Sequence, residues 1–175
     1  MESRHRERGF TLVELMIVVA IIGVLAGLAI YGVSRYLKHA KTAEATRMLS
    51  RIESGADAHY QVESNETDPD LYVHEFCPNA GPTPTVFPVA QKILPAPAEF
   101  SAPGWKCLRF SANAPLFYQY DYKTNGLTAV NANFTATAQG DLDGDGARSL
   151  FRIVAKGGLY GDTVRVEFTI LNEDN

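Results

Sequence analysis

The chain has 175 residues, of which 46% are hydrophobic, and its formal net charge at neutral pH is −4. A nucleic-acid-binding protein normally carries a basic face or stripe, so this acidic balance argues against nucleic acid as a partner. The sequence contains no pattern typical of a catalytic triad, a P-loop or a dinucleotide-binding loop, and we therefore do not expect an enzyme.

An uncharged apolar stretch dominates the N-terminal part of the chain. Residues 15–34 contain no charged side chain, and a helix through them is about 30 Å long, enough to cross the hydrocarbon core of a bilayer. A single carboxylate, Glu14, stands directly before them. Because an ionisable group at that depth is costly, Glu14 is expected to have a specific partner.

A short charged leader and the sextet Gly9-Phe10-Thr11-Leu12-Val13-Glu14 precede this stretch. A secretory signal peptide has its cleavage site after the apolar core, whereas Gly9 comes before it. The leader and the sextet resemble the prepilin signature of type IV pilins and pseudopilins. The resemblance implies a leader peptide at residues 1–9, cleavage after Gly9, N-methylation of Phe10, and an apolar helix that stays in the product. The alternative is an uncleaved anchor with a single span.

Glu14 acquires a role in assembly if the chain is cleaved after Gly9. The new amino group of Phe10 is a cation and Glu14 is an anion four residues later, so their charges can cancel within one helix or between neighbouring copies. We favour pairing between copies, because an ion pair in a low dielectric would fix the axial register of helices whose apolar packing alone is slippery.

The resemblance also implies partners and a location. The partners are copies of the same chain in a helical homopolymer, a prepilin peptidase, a pilus assembly ATPase and an inner-membrane platform. The chain would be a single-pass inner-membrane protein before assembly, with its amino end in the cytoplasm. After assembly it would be part of an extracellular pilus, or fimbrium.

The helix is predicted to continue beyond the membrane stretch. Apolar residues recur at steps of three to five, with charged residues on the other faces, along Leu37, Ala40, Ala45, Met48 or Leu49, Ile52, Ala56 and Tyr60. The sequence therefore predicts one helix from about residue 10 to about residue 63. We divide the processed chain into a transmembrane and filament-core helix at residues 10–34 and a periplasmic or extracellular pilin head at residues 35–175, which includes the amphipathic half of the helix.

A proline-rich segment follows the helix. All nine prolines lie within residues 69–115, which predicts an irregular chain at the surface with short ordered pieces. So long a loop needs a link, and a disulfide between Cys77 and Cys107 is the first candidate. Two free buried thiols are the second, and a metal site is weaker because the sequence has no Cys-x-x-Cys or nearby His pair. A disulfide would indicate an oxidising compartment.

Four later segments have the patterns of strands. They are rich in aromatic and β-branched residues or alternate apolar with polar residues, and they cover 116–122, 127–138, 149–155 and 163–171. Joined by turns, they predict an antiparallel meander with one apolar face, on which the helix stripe packs. The expected fold is therefore α+β, with a long N-terminal α-helix packed on an antiparallel sheet of about four strands.

An aspartate-rich segment lies between the second and third of these strands. Asp141, Asp143, Asp145 and Gly146 match the first, third, fifth and sixth positions of a calcium loop. The twelfth position, where such a loop has a bidentate Glu, is Arg152. Calcium is therefore the one cofactor that the sequence suggests, and a tight turn between strands without a metal is the alternative.

The main functional prediction is a structural pilin that polymerises through its N-terminal helix into a type IV pilus, used for adhesion or twitching motility. Two alternatives stay open. A type II secretion pseudopilin has the same signature; a calcium site would favour it, whereas a disulfide favours a pilin. A minor pilin that serves as an adhesin or as a DNA-uptake tip is the other, and the acidic charge argues mildly against the DNA role.

Overall fold

The computed structural model describes residues 9–62 and 73–172, so the predicted leader, apart from Gly9, and the predicted helix end at residue 63 lie outside the described part. The chain divides into two compact units, residues 1–38 and residues 39–175, and each is described by itself. We call the second one the head unit. The helices and strands are α1 (Leu12–Tyr60), β1 (Ala80–Thr83), α2 (Pro103–Cys107), β2 (Gln119–Thr124), β3 (Asn133–Gly140), β4 (Ser149–Gly157) and β5 (Thr163–Leu171).

The N-terminal unit consists of the first part of α1. By length and composition, Leu12–Ile30 can cross a membrane: its mean hydropathy is 2.7 and none of it is buried. Apolar side chains are exposed along this segment, including Leu15, Met16 and Leu28. A helix that is apolar on all sides has no core of its own to face, so it requires lipid or other protein around it.

The sheet of the head unit is an antiparallel meander in which each strand pairs with the next in the order β1-β2-β3-β4-β5. The four predicted strands are present as β2 to β5. The sequence did not predict β1, a four-residue edge strand with the sequence Ala-Gly-Pro-Thr. Glycine and proline are depleted in strands, and an edge position is where a sheet tolerates proline.

The predicted bounds of two strands were wrong. Residues 116–118 precede β2, and residues 127–132 form a wide turn before β3 instead of its first half. The turn is stabilised by Asn125, whose side-chain oxygen accepts hydrogen bonds from the N–H groups of Leu127 at 3.2 Å and Asn133 at 3.1 Å. An Asn side chain that binds nearby backbone in this way competes with strand pairing.

The stripe on α1 packs into the core of the head unit, as predicted. Its five fully buried members are Ala45, Leu49, Ile52, Ala56 and Tyr60. Leu49 rather than Met48 is the fully buried member, and the predicted first members, Leu37 and Ala40, are exposed. The core is completed by the buried aromatic and aliphatic residues Tyr120, Tyr122, Phe134, Phe151 and Ile153 from β2, β3 and β4. Burying a Leu or Ile side chain contributes about 1.5–3 kcal/mol, so this stripe is a main reason for the helix to stay on the sheet.

Gly55 allows α1 to approach the chain after α2 closely. A Cβ atom at this position would collide with the backbone carbonyl of Leu108. The helix therefore requires a glycine at that point, despite the cost of about 1 kcal/mol that glycine has in a helix interior.

Polar contacts also fix α1 to the rest of the head unit. The Glu44 carboxylate accepts a hydrogen bond from the N–H of Phe117 at 2.8 Å. The Asp57 carboxylate accepts one from the Thr163 hydroxyl at 2.8 Å. Arg165 donates to Glu53 through both Nε and Nη2, with an Nε–Oε1 distance of 2.6 Å.

The edge strand β5 is largely exposed on both faces. Its apolar residues Val164, Val166, Phe168, Ile170 and Leu171 are 39–57% exposed. Its two charged residues have partners in the head unit, since Arg165 binds Glu53 and Glu167 binds Arg152 at 2.6 Å. The register of β5 against β4 shifts between Val154 and Ala155.

Candidate assembly site

The described N-terminal end of α1 forms a capping box. Thr11 directly precedes the first helical residue, and Glu14 is the third residue of the helix. The Glu14 Oε2 atom accepts hydrogen bonds from the N–H of Thr11 at 2.9 Å and from its hydroxyl at 2.7 Å. The N–H of Glu14 donates to the Thr11 hydroxyl oxygen at 3.3 Å. Each residue thus satisfies a backbone donor of the other, at the end of the helix where N–H groups have no helical partner.

This geometry brings the Glu14 carboxylate back to the residue that follows Phe10. Cleavage after Gly9 would therefore create a new amino group in the same turn as the carboxylate. The sequence interpretation considered charge cancellation within one helix or between copies and favoured the latter; the hydrogen bonds described for Glu14 are with Thr11 of its own helix. The sequence reasoning missed Thr11, although the spacing Thr-x-x-Glu before an apolar run is the known signal for a capping box. Pairing between copies stays a prediction.

The apolar surface next to the box is fully open. Phe10 is 81% exposed and Leu12 is 75% exposed. An open apolar helix face can pack against other helices, and a carboxylate on it can pair with a polar group across such a contact.

The aspartates of the predicted calcium loop converge. Each of Asp141, Asp143 and Asp145 places one carboxylate oxygen within 4.8 Å of the others. Asp141 is 5% exposed, and its two oxygens accept N–H hydrogen bonds from Gly144 at 2.6 Å and Gly146 at 3.1 Å. The two glycines have φ angles of +78° and +88°, which a side chain would disfavour.

The loop is thus both a well-formed turn and a group of oxygen ligands. Arg152, at the position where a calcium loop has its bidentate Glu, lies in β4 and binds Glu167 at 2.6 Å. A calcium ion here would have to take its remaining oxygen ligands from backbone or water. Calcium binding stays a prediction.

Cys77 and Cys107 form the expected disulfide, with their Cα atoms 5.7 Å apart. His59 places a ring nitrogen within 4.8 Å of their sulfur atoms. Because thiolates and not disulfides bind metals, the disulfide removes both alternatives, the free thiols and the metal site. It links the chain before β1 to the end of α2, next to an aromatic cluster of Phe100, Trp105 and Phe110.

Comparison with known proteins identifies the N-terminal region. Residues 4–30 match the family model described as the prokaryotic N-terminal methylation motif. The chain is similar to a type IV major pilin protein of Myxococcus xanthus, with 40% identity over 63 residues, and to a type IV major alpha-pilin of Moraxella bovis, with 40% identity over 54 residues. It is also similar to the type II secretion system core protein G of Pectobacterium carotovorum, with 32% identity over 90 residues.

The N-terminal part of the chain is similar to type IV pilins and to a type II secretion core protein. The similarity covers 36%, 31% and 50% of this chain in the three comparisons, and 29%, 34% and 57% of the respective relatives. No solved structure matches the chain. The chain spans less than two thirds of the length of these relatives, and the role of its head unit has to be argued from its own residues.

Proposed function

We propose that this chain is a structural subunit that polymerises through the N-terminal part of α1 into a type IV pilus. The observation that carries the proposal is the fully exposed apolar segment Leu12–Ile30, which begins at a capping box containing one carboxylate. A soluble monomer would have no use for an exposed helical segment of 19 residues in which Glu14 is the one charged side chain, since apolar patches of this size mark contact with lipid or protein. No feature of the proposal requires catalysis.

The segment has two successive environments in this proposal. Before assembly it spans the inner membrane as the single anchor of the chain. In the filament it packs against the same segment of other copies, so its apolar surface passes from lipid to protein. Since lipid and protein interiors are similarly apolar, packing contacts and polar pairs rather than water exclusion decide the arrangement of the helices.

Glu14 is the polar group that orders the copies. A prepilin peptidase cleaves after Gly9, and methylation of Phe10 preserves the charge of the new amine. In the free subunit Thr11 donates two hydrogen bonds to one oxygen of the carboxylate, which lowers the cost of placing Glu14 in the membrane. During assembly it exchanges a contact with Thr11 for the Phe10 amine of a neighbouring copy, which fixes the axial register.

Removing the apolar segment of each subunit from the bilayer requires work, and this requirement indicates the remaining partners. A pilus assembly ATPase and an inner-membrane platform would extract each subunit and add it to the base of the fibre. The head units would then face outward on an extracellular filament, where their loops could contact surfaces during adhesion or twitching motility.

A type II secretion pseudopilin is the second candidate. Two observations favour it: the similarity to a secretion core protein, which covers more of this chain than the similarity to either pilin named above, and the convergent carboxylates of Asp141, Asp143 and Asp145. A pseudopilin would build a short periplasmic fibre and would not form long filaments outside the cell.

Imaging of cells before and after deletion of this chain, together with mass spectrometry of sheared surface filaments, tests both candidates. An abundant fibre that is lost on deletion, and whose main subunit begins at a methylated Phe10, is the result expected for a pilin. A secretion defect without loss of a surface fibre would instead support the pseudopilin. A mature chain that still begins at Met1 would contradict the processing scheme of either.

A further inference from the structure

The turn between β4 and β5 presents an exposed apolar tip. Leu159 is 64% exposed and Tyr160 is 91% exposed. The turn beneath them is held in place, because the Tyr60 hydroxyl donates to the carbonyl of Gly158 at 2.9 Å and the N–H of Gly158 donates to the carbonyl of Asp162 at 2.7 Å. A large aromatic ring on a fixed turn loses little conformational entropy on binding, which makes it a good anchor for an interface.

A groove of about 350 Å³ lies elsewhere on the head unit. Its apolar lining includes Ala40, Met48 and Pro115. Arg47 and Lys92 supply positive charge and Glu44, which lies 3.8 Å from the Lys92 amine, supplies negative charge, so the lining has a net charge of +1. The Lys92 amine lies 4.6 Å from the centre of the Phe117 ring. An amine held over one aromatic ring can bind a second ring on its other side, so the groove has the chemistry to accept a tyrosine.

The tip and the groove lie at opposite ends of the head unit. The tip contacts Tyr60, the last residue of α1, whereas the groove uses α1 residues 40–48. At 1.5 Å per helical residue, these 12 to 20 residues separate the two features by about 18–30 Å along the helix axis. One molecule therefore cannot fill its own groove with its own tip, but a second copy placed above or below it can.

We propose that the tip of one copy inserts into the groove of the next copy along the fibre. This contact rests on the proposed function as a polymer subunit. It is heterologous, meaning that two different surfaces meet, and such contacts propagate in one direction instead of closing into a dimer. Tyr160 stacks on the Lys92 amine and Leu159 packs against the apolar lining. The exposed carboxylate of Asp162 faces Arg47, so the negative tip meets a lining of net charge +1.

The contact can be mapped by replacing Tyr160 with photo-reactive p-benzoyl-phenylalanine in the full-length chain and irradiating assembled fibres. A mixture of isotopically light and heavy subunits distinguishes links between copies from links within one copy. We expect links between copies to residues 40–48, Lys92 or residues 114–116. The matched control carries the same label at Val86, which is 62% exposed, and it should not label the groove.

Substitutions test the energetic side of the contact. Tyr160→Ala and Lys92→Ala should each reduce the sedimentable fibre by about tenfold, and the double variant should be little worse than either single one, because both changes remove the same contact. Tyr160→Phe should assemble normally, and Val86→Ala is the matched control. An unchanged melting temperature of the head unit in Tyr160→Ala would establish that a loss of fibre is not a loss of folding.

The outcomes separate the two proposals. Normal fibres in which the label at residue 160 links to other surfaces or to none would overturn the tip contact and leave the pilin function intact. Unaltered chains that form no fibre under any assembly condition would overturn the proposed function, and the tip contact with it.

Discussion

The disulfide should be a large contributor to the stability of the head unit, and its removal gives a quantitative test. The change is the double substitution Cys77→Ser and Cys107→Ser in the full-length chain, studied in detergent. The two cysteines are 30 residues apart in the sequence. In the chain-entropy model, a closed loop of that length lowers the entropy of the unfolded chain enough to contribute about 3.6 kcal/mol at 25 °C.

This free energy corresponds to a readily measured shift. A unit of about 140 residues unfolds with an entropy near 0.3 kcal/mol/K, so the loss of about 3.6 kcal/mol should lower the melting temperature by about 12 °C. Urea unfolding of the oxidised and the variant chains should give the same difference in free energy of unfolding. The unaltered chain after reduction is the matched control, because it loses the link but keeps both sulfur atoms.

A small effect would refute the entropic reasoning. If reduction lowers the free energy of unfolding by less than about 1 kcal/mol, the proline-rich segment must already be constrained without the disulfide. The packing of the aromatic cluster and the hydrogen bond that Trp105 Nε1 donates to the Thr83 hydroxyl at 3.0 Å would then be what holds the segment in the absence of the disulfide. A reduced chain that matches the serine variant, and not the oxidised chain, supports the chain-entropy account.

Three further predictions concern assembly, pH and calcium. Glu14→Ala should give processed chain in the membrane but little or no fibre, and normal fibre from this variant would contradict the prediction. The control is Thr11→Ser, which preserves the capping hydroxyl and should assemble. Burial raises the pKa of Glu44 above its ordinary value. The Glu44 side chain therefore holds its proton more tightly in the folded chain than in the unfolded chain. For this reason Glu44 should make the head unit less stable as the pH rises through the range just above the ordinary pKa of a Glu side chain. Glu44→Gln should remove this part of the pH dependence in melting curves, and an unchanged curve would contradict the assignment. Calcium should raise the melting temperature of the unaltered chain but not of the Asp143→Asn and Asp145→Asn double variant. If the melting curves of the unaltered chain are the same with and without calcium, the aspartate-rich segment is a turn that does not bind calcium.

Much of the fold could be predicted because its signals are local and repetitive. The stripe from Ala45 to Tyr60 follows the helical period, and a helix on a sheet buries such a stripe directly. The alternation in β4 and β5 likewise predicted two strands with nearly the observed bounds. The disulfide was predictable because two cysteines flank a segment that otherwise had little to hold it.

The parts that were missed depend on contacts distant in sequence. Strand β1 contains glycine and proline, and it forms because β2 offers a pairing edge, which no local pattern reveals. The start of β3 depends on the side chain of Asn125, since its hydrogen bonds favour a wide turn over early pairing. At the candidate site the sequence predicted the importance of Glu14 from its charge, whereas the hydrogen bonds of its side chain to Thr11 follow from the Thr-x-x-Glu spacing at the start of the helix.

In the proposed pilus, the exposed edge strand β5 bears on subunits that have not yet assembled. An open edge with five exposed apolar side chains is a template for unwanted strand pairing, and membrane anchoring would concentrate many such edges in one plane. Arg165 and Glu167 interrupt the apolar run, and the register shift near Val154 distorts the ladder that a second sheet would have to extend. These three features disfavour the pairing of one β5 with another, so the proposed fibre would compete with fewer disordered aggregates.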